Sequence, residues 1–325
     1  MSKQSRALNP AQYAALFTRL YQLETAGLSA FEAFAALAKS SPELKNPLAL
    51  IQRQLKSGRP ISEAGYRAGI FDEMQKALIR AAEASGSLAA VYRNLASYYT
   101  ALSTRTGRIR SGLWLPAVVL AIALFIEPLP ALVGAQIGLA GYLKLSLGRF
   151  ALIIALVLFL ARLPGILRGL GLGTVWDRLL LGMPLIARRI KDRQLNGFFI
   201  ILAMLLEGGL AFAEALPLAV KTIRNEALRA QFNPVLAMAG SGTSVTDTLG
   251  KVKIINATML GMVDSSEHSG RLAGGILQYA QMEAEALRLQ DDAWAAWLPR
   301  AAYALVAAWL AYSMLSGPSG VGVIP

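Results

Sequence analysis

The chain has 325 residues, of which 55% are hydrophobic and 16% charged, with a formal net charge of +12, one histidine and no cysteine. Soluble domains run at roughly 45–50% apolar and about 25% charged, so the composition fits a polytopic membrane protein better than a soluble enzyme. Without cysteine there is no disulfide or thiolate metal site, and with His268 alone neither a histidine metal cluster nor a Ser-His-Asp triad can form.

The first residues, MSKQSRALNPAQYAAL, hold no apolar h-region, so no cleavable signal peptide is expected. Tyr13, Leu16, Phe17, Leu20 and Leu23 recur at three- and four-residue spacing, which predicts an amphipathic helix ended by Gly27. Ser29 and Glu32 suit a capping box for the next helix. Ser62 follows turn residues and precedes apolar positions, as an N-cap does. Residues 1–112 hold no alternating β-branched run and no Asn-Gly dipeptide, so they are expected to form a first cytoplasmic antiparallel helical bundle. They hold fifteen Lys/Arg and seven Asp/Glu, a net +8, without an aromatic–basic recognition pattern. That is the usual cytoplasmic excess of positive charge, and no nucleic-acid partner is expected.

Three stretches reach the roughly 20 residues that a membrane crossing needs. They are 113–135, with Glu127 and Pro128 near its far end; 145–163, whose Arg149 must snorkel or lie at the interface; and 297–315. Arg105, Arg108 and Arg110 precede the first, and Arg162 and Arg168 follow the second, whereas residues 128–144 offer only Lys144. The positive-inside rule then puts the N-terminus in the cytoplasm, 136–144 in an extracytoplasmic loop, 164–296 in a second cytoplasmic bundle and the tail 316–325 outside. The chain is expected to be a multi-pass membrane protein with both bundles on the cytoplasmic side.

The second bundle repeats the first. LETAGLSAFEAFAALAK (23–39) aligns with LLEGGLAFAEALPLAVK (205–221), pairing Gly27 with Gly209. GRPISEA (58–64) aligns with GTSVTDT (242–248), pairing Ser62 with Thr246. Glu83, Ser85, Gly86 and Leu88 of AEASGSL return as Glu267, Ser269, Gly270 and Leu272 of SEHSGRL. WLP at 114–116 returns at 297–299, so Pro116 answers Pro299. Four blocks in one order, offset by 182 to 184 residues, make the chain an internal duplication: a bundle plus a membrane helix, written twice and joined by one extra helix.

The Glu-x-Ser-Gly-x-Leu block reads first as a corner between helices. Gly86 or Gly270 takes a positive φ, Ser85 or Ser87 caps the next helix, and Leu88 or Leu272 returns to the core. The corner does not itself require the glutamate. That carboxylate either binds an amide or basic residue inside the domain or faces a partner. Catalytic motifs are missing. The fragment nearest to a phosphate loop, Gly250-Lys251, has Val245 where the upstream glycine belongs and Val252 after it. No catalytic residue, cofactor or metal ligand is expected.

These residues resemble the GspF/PilC family of inner-membrane platform proteins of type II secretion and type IV pilus machines. The first copy carries the pattern in Leu23–Leu28, Gly58–Ala64, Phe71 and Glu83–Leu88. The second carries it in Met183–Ile186, Leu206–Leu210 and Glu267–Leu272. Ala82 and Ser266 stand where the family has glycine, and the short form is more reminiscent of type IVb, conjugative thin-pilus or competence platforms. The resemblance implies an all-α fold with two T2SSF-type bundles and three transmembrane helices. It implies a non-enzymatic platform, homo-oligomeric as a dimer or higher, that couples a cytoplasmic hexameric ATPase to extraction of pilin or pseudopilin alongside other inner-membrane assembly proteins. A small-solute transporter and an unrelated membrane-anchored scaffold are the competing readings; the first fits less well because most of each repeat is soluble.

Overall fold

The computed structural model describes residues 8–126, 128–134, 138–169, 177, 179, 181–240 and 242–316, and among them every regular element is a helix. The first copy runs α1 (Pro10–Thr25), α2 (Ala30–Ser40), a 3-10 turn at Pro42–Leu44, α3 (Lys45–Lys56), α4 (Ile61–Arg67), α5 (Glu73–Ser85) and α6 (Leu88–Ile126). Asn9 and Gln12 close a capping box on α1, and Pro10 sits in its first turn, where a missing amide costs nothing. Leu16, Phe17 and Leu20 are buried, with Tyr13 and Leu23 half-buried beside them. The helix stops as its sequence dictates: Gly27 has φ +79°, and the Leu28 amide reaches back to the Leu23 carbonyl at 3.1 Å. Ser29 and Glu32 then form the expected box at the start of α2.

After α6 come α7 (Leu129–Val133) and α8 (Leu139–Gly169). The second copy runs α9 (Pro184–Glu207), α10 (Phe212–Lys221), α11 (Glu226–Arg229), a 3-10 turn at Ala230–Phe232, α12 (Asn233–Met238), α13 (Val245–Gly250), α14 (Ala257–His268) and α15 (Leu272–Ser316). The order of the first copy recurs, helix for helix. Only the counterpart of α3 is broken, because Pro234 has no amide to carry a single ladder through that stretch. Gly209, at φ +91°, ends α9 with the turn that Gly27 gives α1: the Leu210 amide donates to Leu205 at 3.1 Å.

The two copies lie in one compact unit, Met1–Thr104 with Asp177–Leu287, around one contiguous apolar core. The cause is α5, which packs against α9 and α10 and so makes the boundary between copies a buried surface. Ser62 and Thr246, expected as N-caps, lie at the second helical positions of α4 and α13; the N-caps are Pro60 and Ser244.

Arg105–Trp176 with Arg288–Pro325 form a second unit. Helix α6 has 39 residues and α15 has 45, about 58 and 68 Å at 1.5 Å per residue. Each begins at its Glu-x-Ser-Gly-x-Leu corner in the first unit and runs on into residues of the second. The expected segment 113–135 is not one helix: α6 stops at Ile126, ahead of Pro128. The expected loop 136–144 is helical from Leu139 onward. Tyr142 explains the early start, since its hydroxyl donates to the Phe125 carbonyl at 2.9 Å and pins the first turn of α8 to the end of α6. Backbone near hydrocarbon must also satisfy its own hydrogen bonds. Among the described residues one stretch, Leu139–Leu156, is long and apolar enough to cross a membrane, and Ala117–Ile126 is a shorter apolar helical stretch. The segment 297–315 lies in α15, with many of its side chains outside the described residues.

Candidate functional site

The duplicated blocks meet in space. In the first copy the Glu83 carboxylate accepts from the Ile61 amide on one oxygen. Its other oxygen accepts from the Ser62 amide at 3.2 Å and the Ser62 hydroxyl at 2.6 Å. In the second copy Glu267 takes the Val245 amide at 2.7 Å, the Thr246 amide at 2.9 Å and the Thr246 hydroxyl at 2.8 Å. The atoms correspond one for one. The glutamate of the corner therefore fastens the end of α5 or α14 to the N-terminus of α4 or α13, where two amides lack intrahelical partners and the helix dipole favours an anion.

This geometry explains why the glutamate recurs together with Ser62 or Thr246. The hydroxyl is not an N-cap accepting from an amide; it is a third donor to the carboxylate. It also distinguishes the copies. Pro60 gives α4 no side-chain cap, so Glu83 supplies the anion from 21 and 22 residues away. Ser244 already caps the Asp247 amide of α13 at 2.9 Å, and Glu267 takes the two amides before it. Burial works against the Glu267 carboxylate's charge, but the Thr246 and Val245 amides and the Thr246 hydroxyl outweigh it and hold its pKa below the ordinary value.

The rest of the corner follows the backbone. Gly86 and Gly270 sit at φ +71° and +68°. The next amides, of Ser87 and Arg271, donate to Ala82 and Ser266 at 3.0 and 2.9 Å. Ser85 donates to the Ala81 carbonyl at 3.0 Å, and its hydroxyl pairs with that of Ser87 at 2.7 Å; Ser269 donates to the Ser266 carbonyl at 3.2 Å. Leu88 and Leu272 pack half-buried against the core. Pro116 and Pro299 fall within α6 and α15, with side chains outside the described residues.

Two features were not read from the sequence. Glu63 accepts from Arg67 and pairs with Lys76 at 2.7 and 2.6 Å, and these hydrogen bonds, that of Lys76 foremost, lower its pKa to about 2. The Glu63/Arg67 spacing of four was a legible signal; Lys76, on another helix, was not. Between the copies, Lys221 pairs with Glu73, and the Asn94 amide reaches Glu207 at 3.4 Å. The carboxylates described are hydrogen-bond acceptors within the fold. Among the described residues no cluster of three or more His, Asp or Glu side chains could hold a metal.

Comparison with known proteins agrees with the duplication. The family described as type II secretion system (T2SS), protein F, matches residues 16–133 and again 198–316. The chain is similar to the type II secretion system protein F of Vibrio cholerae, 21% identical over 85% of this chain and 73% of that one. It is similar to the protein of the same name from Pseudomonas aeruginosa, 25% identical over 82% of this chain and 71% of the relative. To the type IV pilus assembly protein PilC of Thermus thermophilus it is 28% identical, over 79% of this chain and 69% of the relative.

Proposed function

Because the chain belongs to the type II secretion system protein F family, both of its repeats matching it, we propose that it is the inner-membrane platform of a type IV pilus or type II secretion machine. In this reading it passes the motion of a cytoplasmic assembly ATPase to pilin or pseudopilin subunits leaving the membrane. The observation that carries the proposal is the doubled match, each copy of which runs from a wired helical corner into a helix long enough to leave its bundle. No nucleotide motif occurs in the sequence, so energy arrives from a partner. The continuous helices α6 and α15 are the elements along which a push on a bundle reaches the membrane.

The relatives named for pilus assembly and for type II secretion match over similar shares of the chain, so both machines stay in the proposal. The membrane arrangement proposed is three crossings with the N-terminus cytoplasmic. It is supported by the Lys/Arg asymmetry and the apolar stretch Leu139–Leu156. Reporters fused after Gly134 and at the C-terminus should read extracytoplasmic, and one at Asn233 cytoplasmic.

Crosslinking in cells followed by purification of the full chain tests the function. Recovery of a hexameric secretion ATPase and a prepilin is expected, and deletion of the gene should abolish pili or secretion. Recovery of neither, with a transported solute found instead, would replace the platform by a transporter.

A further inference from the structure

The duplication leaves one helical face bare in the second copy that is covered in the first. On α6 the line Asn94, Tyr98, Leu102 turns toward the second copy. The Asn94 amide reaches Glu207 at 3.4 Å, Tyr98 and Leu102 pack half-buried against the shared core, and Arg224 acts electrostatically on the Tyr98 hydroxyl. The same line on α15, 184 residues further on, is Gln278, Met282 and Ala286. All three are exposed, Met282 at 64%. The stripe continues through Leu289, 65% exposed, to exposed Ala293. Met282, Ala286, Leu289 and Ala293 recur at steps of four, three and four, the spacing of a two-stranded coiled-coil seam with Met282 and Leu289 at d and the alanines at a. The bundle contact of α15 is made by other residues, Ile276, Ala280 and Leu287, about 100° away round the helix.

We propose that this face pairs with the same face of a second copy of the chain, as a parallel coiled-coil seam about 16 Å long. Three observations choose that occupant. In the first repeat the corresponding face is covered by another copy of the same repeat, so the fold already uses this surface to meet its own kind. The four-three spacing is self-complementary: across a two-fold axis each residue meets its equivalent, and the alanines at a let the helices approach at the close end of the usual 8–10 Å. The flanking positions also agree, since a parallel pair brings Gln278 to Glu283 and Glu285 to Gln290 and sets no like charges opposite each other. Lipid is not the cover, because the seam precedes the expected crossing 297–315 and Asp291 and Asp292 adjoin it. The pairing rests on the membrane placement proposed above: two chains inserted with one topology present α15 in the same direction. Confinement to one membrane also raises their effective concentration, which lets a seam this short associate.

Disulfide crosslinking tests the seam directly, because the chain has no cysteine of its own. Full-length chains carrying Met282→Cys or Leu289→Cys are oxidised in native membranes beside controls with Gln281→Cys or Arg288→Cys, also exposed but off the seam. A disulfide needs its two Cα atoms within about 7 Å, so covalent dimer at the seam positions should exceed that at the controls about five-fold or more. Ala286→Cys and Ala293→Cys repeat the reading at the a positions. Leu289→Lys puts a charge into the seam and should lower the dimer recovered with a second, differently tagged chain about ten-fold at an unchanged level of protein. Equal yields at all positions overturn the seam, as does absence of dimer at Met282→Cys and Leu289→Cys, or their crosslinking to a different protein. Dimer formed only between mixed Met282→Cys and Ala293→Cys chains would mean antiparallel helices and overturns the parallel pair. A chain washed from membranes without detergent would sink the membrane reading, a result read from the fractions and not from the crosslinks, so the two failures are told apart.

Discussion

Glu83 and Glu267 show how a side chain at one end of a sequence block is explained by atoms in another block. The corner residues Gly86 and Gly270 were legible, because a repeated Ser-Gly before a leucine marks a left-handed turn. The glutamate's purpose was not, since its donors lie 21 and 22 residues earlier and only the fold brings them within reach. Hydrogen bonds to a charged group contribute about 1.5–3 kcal/mol each, net of the bonds to water they replace. Glu83→Gln keeps the shape and removes the charge, so it should destabilise the protein by about 1–3 kcal/mol in denaturant unfolding. Glu267→Gln should cost less, because Ser244 still caps α13. Equal effects in the two copies would mean that Pro60 does not leave α4 dependent on Glu83. The pH dependence has a definite sign. Glu267 and Glu63 both have folded pKa values below the ordinary 4.5, that of Glu63 at about 2. The stability they contribute is present above 4.5 and lost as pH falls below it, for Glu63 down to about 2. Melting temperatures across that range should fall more steeply for the wild type than for a Glu63→Gln, Glu267→Gln double variant.

At the scale of elements, the two copies carry large and small residues at exchanged positions. Gly65 of α4 lies so close to Phe71 that a Cβ there would come within 2.0 Å of the ring. In the second copy the equivalent positions are Leu249 and Ile255, both buried, so the bulk moves from the loop residue to the helix. The corner does the same. Ala82 and Val91 of the first copy become Ser266 and Gly275, and a Cβ on Gly275 would lie 1.7 Å from the Ser266 hydroxyl. Helix order, both glycine stops and the Ser29 capping box could be read from spacing alone, because each depends on neighbours within a turn or two. These exchanges could not, since volume is matched only across elements. Gly65→Ala should therefore destabilise the protein by about 1–3 kcal/mol, the usual cost of overpacking. Phe71→Ile in the same chain should recover a large part of that loss. A double-mutant cycle in denaturant unfolding measures the coupling, and purely additive effects would contradict the packing described.

At the scale of the whole molecule, the duplication is not two independent bundles in series. The copies touch through unlike surfaces: α5 of the first lies on α9 and α10 of the second, which are the counterparts of α1 and α2. The sequence records this asymmetry at positions 182 residues apart. Exposed Arg19 and Gln22 of α1 are answered by buried Ile201 and Met204 of α9. Helix α1 is amphipathic because one face meets water, whereas α9 is apolar on two faces because it has two neighbours. The Lys221–Glu73 pair at this boundary is exposed on both partners, and an exposed pair adds at most about 1 kcal/mol. Apolar burial on α9 is thus what joins the copies. Ile201→Arg puts a charge into that buried surface and should lower stability by about 3 kcal/mol or more, while Arg19→Ile, on the solvated counterpart, should change it by about 0.5 kcal/mol. Hydrogen exchange gives the sharper reading, because it reports each helix separately. In the wild type, amides of α5 and α9 should open together, as parts of one cooperative unit. In Ile201→Arg the exchange of α5 should accelerate although the substitution lies in the other copy. Unchanged protection in α5, alongside lost protection in α9, would show that each bundle holds itself together and that the shared core does not couple them.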